Sequence, residues 1–268
     1  MDGLETKKRS KIISSLLSLI TPGLGHLYNG KLVWAISIPS ITLIFIYVIY
    51  YNSLLRSFTF FLVFAAFIIY VYIFSIVHSI VTAKRNTGYR LKSCNHIAIY
   101  VIWPIIFFGL GAILPANNSI RTFSIPTKSM EKTLRAGDLI MADMDYYNSN
   151  KVNRNDIAIL SSTNSPDELM IKRVIAFGGE KISIVDGKIF IDGKEYAESN
   201  PNLILENNSS DDLGEMTIPK DHIFIIGDNR PNSLDSRMFG TIPVKNLKGK
   251  PLYVYFSSNL NRIGTKID

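Results

Sequence analysis

Three long stretches without any formal charge are the feature that most constrains this chain. They cover residues 32–55, 57–83 and 93–120 and are rich in Ile, Leu, Val, Phe and Tyr. Each is longer than the roughly 20 apolar residues that a helix needs to cross the hydrocarbon core of a bilayer. Because three such stretches follow one another, a soluble fold is disfavoured. We therefore predict three transmembrane helices, at about 32–52, 58–81 and 97–116.

The distribution of charge predicts how these helices are oriented. Residues 1–96 hold 10 Lys and Arg against 2 Asp and Glu, whereas the remaining 172 residues hold 19 against 20. Basic segments remain in the cytoplasm, and they lie before the first apolar stretch and between the second and third. We therefore expect a multi-pass protein of the cell (inner or plasma) membrane, with a cytoplasmic N-terminus and an extracytoplasmic C-terminal part. The net charge of +7 comes from residues 1–96, which contain the apolar stretches. We therefore expect a lipid bilayer and not nucleic acid as a partner.

Residues 1–31 form a basic segment that we predict to be cytoplasmic or interfacial. A basic start followed by apolar residues is also typical of a signal peptide. The helix-breaking string PGLG and the missing small-x-small cleavage pattern favour an interfacial or re-entrant segment instead. The function of the string PGLGHLYNGK is not readable from the sequence.

Residues 120–268 have a different composition, in which short β-type runs alternate with turn residues. The run ISIVDGKIFIDGKEY predicts a hairpin, because Asp-Gly pairs supply the positive φ angles that tight two-residue turns require. No long apolar pattern of helical period occurs in this part. We therefore expect a predominantly β domain that is large enough to bury its own core.

Three segments of this domain carry candidate chemistry. The loop SIPTKSMEKTLRAGD presents Ser129 two residues after Thr127, and the segment GDNRPNSLDSRMFG follows an apolar strand with a cluster of polar groups. In the latter, Asp235 and Arg237 could pair, and Ser233 could orient a neighbouring base. Taken alone, each segment is also compatible with an ordinary surface loop.

Lys172 lies in the strand-like run LMIKRVIAF, where side chains alternate between the two faces. Lys172 and its neighbour Arg173 therefore point to opposite faces, so one of these cations must face inward or lie at a strand end. An ammonium among apolar groups loses solvation, and its pKa falls below the usual value of about 10.4. A lysine with a lowered pKa can act as a general base near neutral pH, although a lysine with its head in water fits the same pattern.

The three segments, in this order and behind membrane spans, resemble type I signal peptidases, the bacterial leader peptidases. The match covers roughly residues 120–256, with SIPTKSMEKTLRAGD as the serine segment, IKRVIAFGGE as the lysine segment and GDNRPNSLDSRMFG as the third. The resemblance implies a membrane-bound serine endopeptidase that removes signal peptides from exported preproteins. It also implies an extracytoplasmic, predominantly β catalytic domain.

The resemblance assigns a role to each matching position. Ser129 matches the nucleophile, Lys172 matches its general base, and Thr127 matches the hydroxyl that helps to stabilise the oxyanion. Met130 lies where the family lines the substrate cleft. The residues that match the orientation of the lysine and the support of the site are Ser233, Asp235 and Arg237.

Three departures from the family pattern affect the loops. Lys132 stands where the family has a proline, Phe177-Gly178-Gly179-Glu180 replaces the usual Leu-Pro-Gly-Asp, and Pro231 stands where an acidic residue is common. None removes a catalytic group, so we expect effects on cleft shape and efficiency.

Alternatives remain open at this point. The general base could be His222, which is the one histidine after Ile120. The chain could also be a catalytically silent membrane scaffold that binds apolar segments, or a dedicated peptidase of the pilus or conjugation type. A single cysteine, Cys94, excludes an internal disulfide and a multi-cysteine metal site. We expect no cofactor and no metal.

Overall fold

The computed structural model falls into two compact units, Met1–Asn117 and Asn118–Asp268. The first is helical and the second is mostly β, and each is described by itself. The residues that the structure describes are 6–86, 89–90, 95–113, 119–162, 167–197 and 212–268.

Among its described residues, the N-terminal unit contains five α-helices. Two of them, α3 and α4, are long and apolar enough to cross a membrane, with mean hydropathies of 2.3 and 2.7. The helix that matches the third apolar stretch, α5, has 17 residues, and residues 114–118 lie outside the described part. The helices are α1 (Lys11–Ile20), α2 (Leu24–Tyr28), α3 (Leu32–Tyr51), α4 (Phe58–Arg85) and α5 (Ile97–Ile113), and two short antiparallel strands accompany them, β1 (Thr6–Lys7) and β2 (Tyr89–Arg90).

The string PGLGHLYNG forms a tight turn and the short helix α2. Gly23, at φ 94°, precedes α2, and a Cβ on Gly25 would lie 2.2 Å from the Ser14 carbonyl oxygen. His26 Nε2 lies 2.8 Å from Nδ1 of His78 on α4, and Asn29 Nδ2 donates to Ser14 Oγ at 2.8 Å. Small residues and side-chain hydrogen bonds therefore pack α1 and α2 closely against α4.

In the part of the C-terminal unit that the structure describes, antiparallel strands form two sheets. The larger sheet has seven strands in the order β12-β11-β6-β5-β13-β4-β3, and the smaller has four in the order β10-β7-β8-β9. The strands are β3 (Ile120–Ser124), β4 (Leu139–Asp143), β5 (Ile157–Ser161), β6 (Leu169–Phe177), β7 (Lys181–Val185), β8 (Lys188–Ile191), β9 (Lys194–Glu195), β10 (Leu213–Thr217), β11 (His222–Ile226), β12 (Ile242–Pro243) and β13 (Leu247–Phe256), with two one-turn helices, α6 (Tyr146–Ser149) and α7 (Ser236–Phe239).

The predicted hairpin is confirmed in the smaller sheet. Strands β7 and β8 pair from Ile182↔Ile191 to Val185↔Lys188. Asp186 and Gly187 connect them at φ angles of 49° and 74°, the left-handed geometry that a tight hairpin turn requires. Asp-Gly pairs thus fix the register of this sheet locally.

Buried aliphatic side chains cover both faces of the larger sheet around β6. Ile171 packs against a cluster that includes Met130 and Leu134, while Val174 belongs to a second cluster with Ile225. Strand β6 is therefore a central strand that is buried on both faces, with the loop after β3 packed on one of them.

Candidate active site

Residues 125–138 connect β3 to β4 and form a loop, here called the serine loop, that presents Ser129. Its side chain is 9% exposed, and its Oγ lies 3.3 Å from Thr127 Oγ1. Within the described residues, the Ser129 backbone N–H donates no hydrogen bond. This donor and the Thr127 hydroxyl therefore remain available to a developing oxyanion beside Ser129 Oγ.

Lys172 lies on β6, opposite Ala158 of β5. It is 5% exposed, and burial lowers its pKa from 10.5 to about 8. The charge of Arg237 lowers this pKa further, whereas Asp235 and Asp228 raise it. Because burial dominates, a substantial fraction of Lys172 is neutral at pH values where an ordinary lysine is fully charged.

Ser129 and Lys172 line the same cleft, which has a volume of about 820 Å³. They are 43 residues apart in the sequence, and the fold brings them to one site. Within the described residues no hydrogen bond joins Ser129 Oγ to Lys172 Nζ, and catalytic contacts are often long before substrate binds. Apolar side chains make up the larger part of the remaining lining, and the polar part comes from Ser124, Thr127, Ser162, Glu168, Asn232 and Thr241.

Arg173, the second cation of β6, is buried on the opposite face at 7% exposure. Its Nε and Nη2 donate to the two carboxylate oxygens of Asp228 at 2.8 Å each. Asp228 Oδ2 also accepts from Thr133 Oγ1 at 2.5 Å. The expectation that one cation faces inward is therefore too narrow, since β6 buries both and Asp228 neutralises Arg173.

Asp235 is fully buried and accepts hydrogen bonds from other residues of the third segment. Its carboxylate accepts from Arg237 Nε at 2.9 Å, from Ser233 Oγ at 2.6 Å and from the Gly227 backbone N–H at 2.9 Å. The Asp235–Arg237 pair expected from the sequence is present. The Ser233 hydroxyl donates to Asp235, which leaves the lone pairs of its oxygen for another donor.

Gly227 and Asn229 contact the backbone carbonyl of Ser129 in the serine loop. A Cβ on Gly227 would lie 2.5 Å from the Ser129 carbonyl oxygen and 2.2 Å from Ser233 Oγ, so only glycine fits there. The Asn229 backbone N–H donates to the Ser129 carbonyl at 3.0 Å, and Asn229 Nδ2 donates to the Lys128 carbonyl at 2.9 Å. The third segment therefore supports the backbone of residues 128 and 129.

The predicted site residues fall into two groups, those that line the cleft and those that do not. Ser129, Lys172, Thr127 and Met130 line the cleft. The residues that support it from the side, Ser233, Asp235 and Arg237, form one hydrogen-bonded group. The roles of Gly227, Asp228 and Asn229 were missed in the sequence, although the string GDN after a buried strand was the available signal.

His222 does not line the cleft. Its Nδ1 lies 3.1 Å from the Lys220 carbonyl at the start of β11. Within the described residues, no group of three or more His, Cys, Asp or Glu side chains is arranged to hold a metal ion.

Lys132 has a backbone conformation that differs from what a proline allows. Its φ angle is +73°, whereas the proline ring holds φ near −65°. The serine loop of this chain therefore follows a path that a proline at position 132 could not follow.

Comparisons with known proteins agree on one family. The family model described as signal peptidase, peptidase S26, matches residues 96–256. Thylakoidal processing peptidase 1 of Arabidopsis thaliana is 32% identical over 143 residues, which cover 50% of this chain and 41% of that protein. Signal peptidase I of Leptolyngbya laminosa is 30% identical over 168 residues, which cover 58% of this chain and 79% of that protein.

A solved signal peptidase I from Enterococcus faecalis is 25% identical, and the match covers 38% of this chain and 97% of that one. Its TM-score of 0.30 is too low for a comparison of the folds. The aligned part thus covers less than half of the length of the Arabidopsis protein. It covers most of the length of the two bacterial proteins.

The backbone of Lys132 gives a first prediction. Lys132→Pro should lower the free energy of unfolding by about 2 kcal/mol or more, because the ring cannot reach a positive φ. Lys132→Gly should change it by less than about 1 kcal/mol, because glycine adopts positive φ freely. Thermal unfolding of both full-length variants in detergent checks this, and equal stability of Lys132→Pro and wild type would contradict the left-handed conformation.

Proposed function

The chain belongs to the signal peptidase family S26, whose members hydrolyse peptide bonds, and from that premise we propose that it removes signal peptides from preproteins with a Ser129–Lys172 dyad. The observation that carries this proposal is the shared cleft. A serine hydroxyl and a lysine with a lowered pKa line it together. A hydroxyl is a weak nucleophile and requires a base within reach.

The proposed reaction begins with neutral Lys172. Its Nζ takes the proton of Ser129 Oγ while that oxygen attacks the scissile carbonyl carbon. The Ser129 backbone N–H and the Thr127 hydroxyl stabilise the negative charge on the carbonyl oxygen. The Lys172 ammonium then gives its proton to the leaving amine, which is the new N-terminus of the mature protein.

A second half-reaction restores the enzyme. The signal peptide remains bound to Ser129 as an ester, and Lys172, neutral again, takes a proton from a water molecule that attacks this ester. The ester bond breaks, Ser129 regains its proton from Lys172, and the signal peptide leaves as a carboxylic acid that releases its remaining proton to water.

Ser233 completes the proposed positioning of the base. Its hydroxyl donates to Asp235 at 2.6 Å, and Arg237 pairs with the same carboxylate. Because the proton of Ser233 is directed to Asp235, the Ser233 oxygen can accept an N–H from Lys172. Asp235 and Arg237 thereby support the dyad without contacting substrate.

The proposed substrate is an extended, apolar segment with small residues before the cut. The cleft is largely apolar, and β3 lies at the edge of the seven-stranded sheet beside it. Extended peptides bind such edges by adding a strand, while pockets read alternate side chains. Met130, which is buried in the cleft wall, would limit the space for those side chains.

We further propose that the N-terminal unit anchors the enzyme in the cell membrane as a multi-pass protein. Helices α3 and α4 are compatible with an anchor by length and hydropathy, and α5 would be the third span. The basic segments of the sequence favour a cytoplasmic N-terminus and an extracytoplasmic catalytic domain.

The dyad gives the decisive prediction. Ser129→Ala and Lys172→Ala should each lower kcat/KM at least about 1,000-fold, because each removes a group that acts in every turnover. Thr127→Val should lower kcat about 100-fold, since one oxyanion donor is lost. The measurement uses full-length protein in detergent and a fluorogenic peptide with a small-x-small cleavage site.

His222→Ala is the matched control and should retain wild-type activity. If His222→Ala were inactive and Lys172→Ala active, histidine would be the base and the dyad would be wrong. Cleavage of no preprotein by the wild type would favour the silent scaffold, and cleavage of one partner alone would favour a dedicated peptidase.

The pKa of Lys172 predicts the pH profile. Burial favours the neutral form, and only this form can take a proton from Ser129. Below the pKa of about 8, log kcat/KM should therefore rise by about one unit per pH unit and level off above it. A plateau that begins near pH 6.5, the usual pKa of histidine, would contradict the lysine base.

Selective labelling tests the proposed topology. In right-side-out vesicles, a membrane-impermeant maleimide should not label Cys94, which we expect on the cytoplasmic side. It should label Ser149→Cys in a Cys94→Ser background, because Ser149 is exposed on the catalytic domain. The opposite pattern would reverse the orientation.

A further inference from the structure

Arg262 contacts the serine loop, although it lies about 130 positions later in the sequence. It follows β13 in a short turn, and its Nη2 donates to the Thr133 carbonyl at 2.8 Å. Its Nη1 donates to the Lys132 carbonyl at 3.3 Å. These carbonyls lie only three and four residues after Ser129.

The same guanidinium binds the carboxylate that ends the loop. Arg262 Nη2 and Nε donate to Asp138 Oδ2 at 2.6 and 3.1 Å. Asp138 is 2% exposed and also accepts from Ser257 Oγ at 2.7 Å and from the Arg135 backbone N–H at 2.9 Å. Burial alone would raise the pKa of Asp138, but these hydrogen bonds, with that of Arg262 the largest, hold it below its usual value.

Arg262 therefore spans the serine loop between two points, the carbonyls of residues 132–133 and the carboxylate of Asp138. An ion pair between buried groups keeps more of its strength than one at the surface, because water screens it less. Arginine also suits this position because its planar group offers several donors in a fixed geometry.

The adjoining segment packs under the same loop. Ile267 is 3% exposed and belongs to the buried cluster that contains Met130 and Leu134. Its backbone N–H donates to the Leu252 carbonyl at 3.0 Å, which fixes it to β13. Apolar packing and the guanidinium therefore act on one stretch of backbone.

The sequence of this loop explains why an outside restraint matters. Lys132 takes a φ of +73°, a conformation that is costly for a side chain other than glycine and persists only when its surroundings hold it. A proline would restrict φ by itself, but lysine does not. The carbonyl of Lys132 is one of the groups that Arg262 binds.

We propose that Arg262 is a positioning residue for the Ser129 nucleophile, which acts by holding the backbone of residues 132–138. This inference rests on the proposed function for its effect on rate. It concerns geometry alone, because Arg262 does not line the cleft. Displacement of a reacting group by about 1 Å can cost on the order of 100-fold in rate.

The test compares Arg262→Gln with Arg154→Gln. Arg154 is a matched control, because it also donates to a backbone carbonyl, that of Ile175, and to a carboxylate, that of Glu180. Arg154 does not line the cleft, and its partners among the described residues lie outside the serine loop. Three properties are measured on full-length protein in detergent: kcat and KM, thermal unfolding, and hydrogen exchange of residues 129–138 by mass spectrometry.

Arg262→Gln should lower kcat about 10- to 100-fold with KM within about two-fold, and it should speed exchange in residues 129–138. Arg154→Gln should show neither effect, even if its unfolding temperature falls as far. Arg262→Lys should be intermediate, because an ammonium can pair with Asp138 but cannot bind both carbonyls in the same way.

Unchanged exchange of residues 129–138 in Arg262→Gln would overturn the inference, as would equal losses of kcat in the two Gln variants at equal stability. Hydrogen exchange needs no substrate. A wild type without peptidase activity would therefore overturn the proposed function while the exchange data still decided the role of Arg262.

Discussion

Strand β6 buries two neighbouring cations, and both the serine loop and the third segment are arranged around that constraint. Arg173 cannot stay buried without a counter-ion, so the segment after β11 must bring Asp228 against it. Asp228 in turn binds Thr133 of the serine loop. On the other face, Lys172 is buried without an ion pair among the described residues, and its ammonium form is disfavoured. Strand β6 therefore holds Arg173 in an ion pair and, on its other face, buries Lys172 so that the neutral form of the amine is favoured.

The contrast between these two cations explains why the third segment contains two separate carboxylates. Asp228 is directed to Arg173, whereas Asp235 is occupied by Arg237, Ser233 and the Gly227 backbone N–H. Neither carboxylate forms an ion pair with Lys172 in the described structure. A direct carboxylate partner would raise the lysine pKa. The two carboxylates therefore hold the third segment together through Arg173, Arg237 and backbone N–H groups, and neither of them pairs with Lys172.

Much of the fold and part of the site follow from local sequence patterns. The apolar stretches predicted α3 and α4, Asp-Gly pairs predicted the β7–β8 hairpin, and the three segments pointed to Ser129 and Lys172. Alternation along β6 separated Lys172 from Arg173, but it could not show that both faces are buried, because burial depends on which elements pack there. Only tertiary contacts bury both faces of β6.

The contacts that the sequence did not reveal join residues far apart in the chain. Asp228 meets Thr133 across 95 positions, and Arg262 meets Thr133 across 129. No periodicity or turn signal reports such pairs. In the N-terminal unit, the sequence shows the string PGLGHLYNG but not the partners of Asn29, which donates to Ser14 Oγ, 15 positions earlier, and to the Ser79 carbonyl, 50 positions later.

These long separations have a consequence for the order in which the enzyme is made. Synthesis delivers Ser129 and Lys172 well before Asp228, Asp235 and Arg262, and contacts between distant residues form slowly in folding because long loops must close first. A chain that is still emerging carries the serine and the lysine without the groups that fix the serine loop. The contacts that fix the serine loop can therefore form only late in synthesis, and an unfinished copy carries Ser129 and Lys172 of the proposed dyad without the groups that hold this loop.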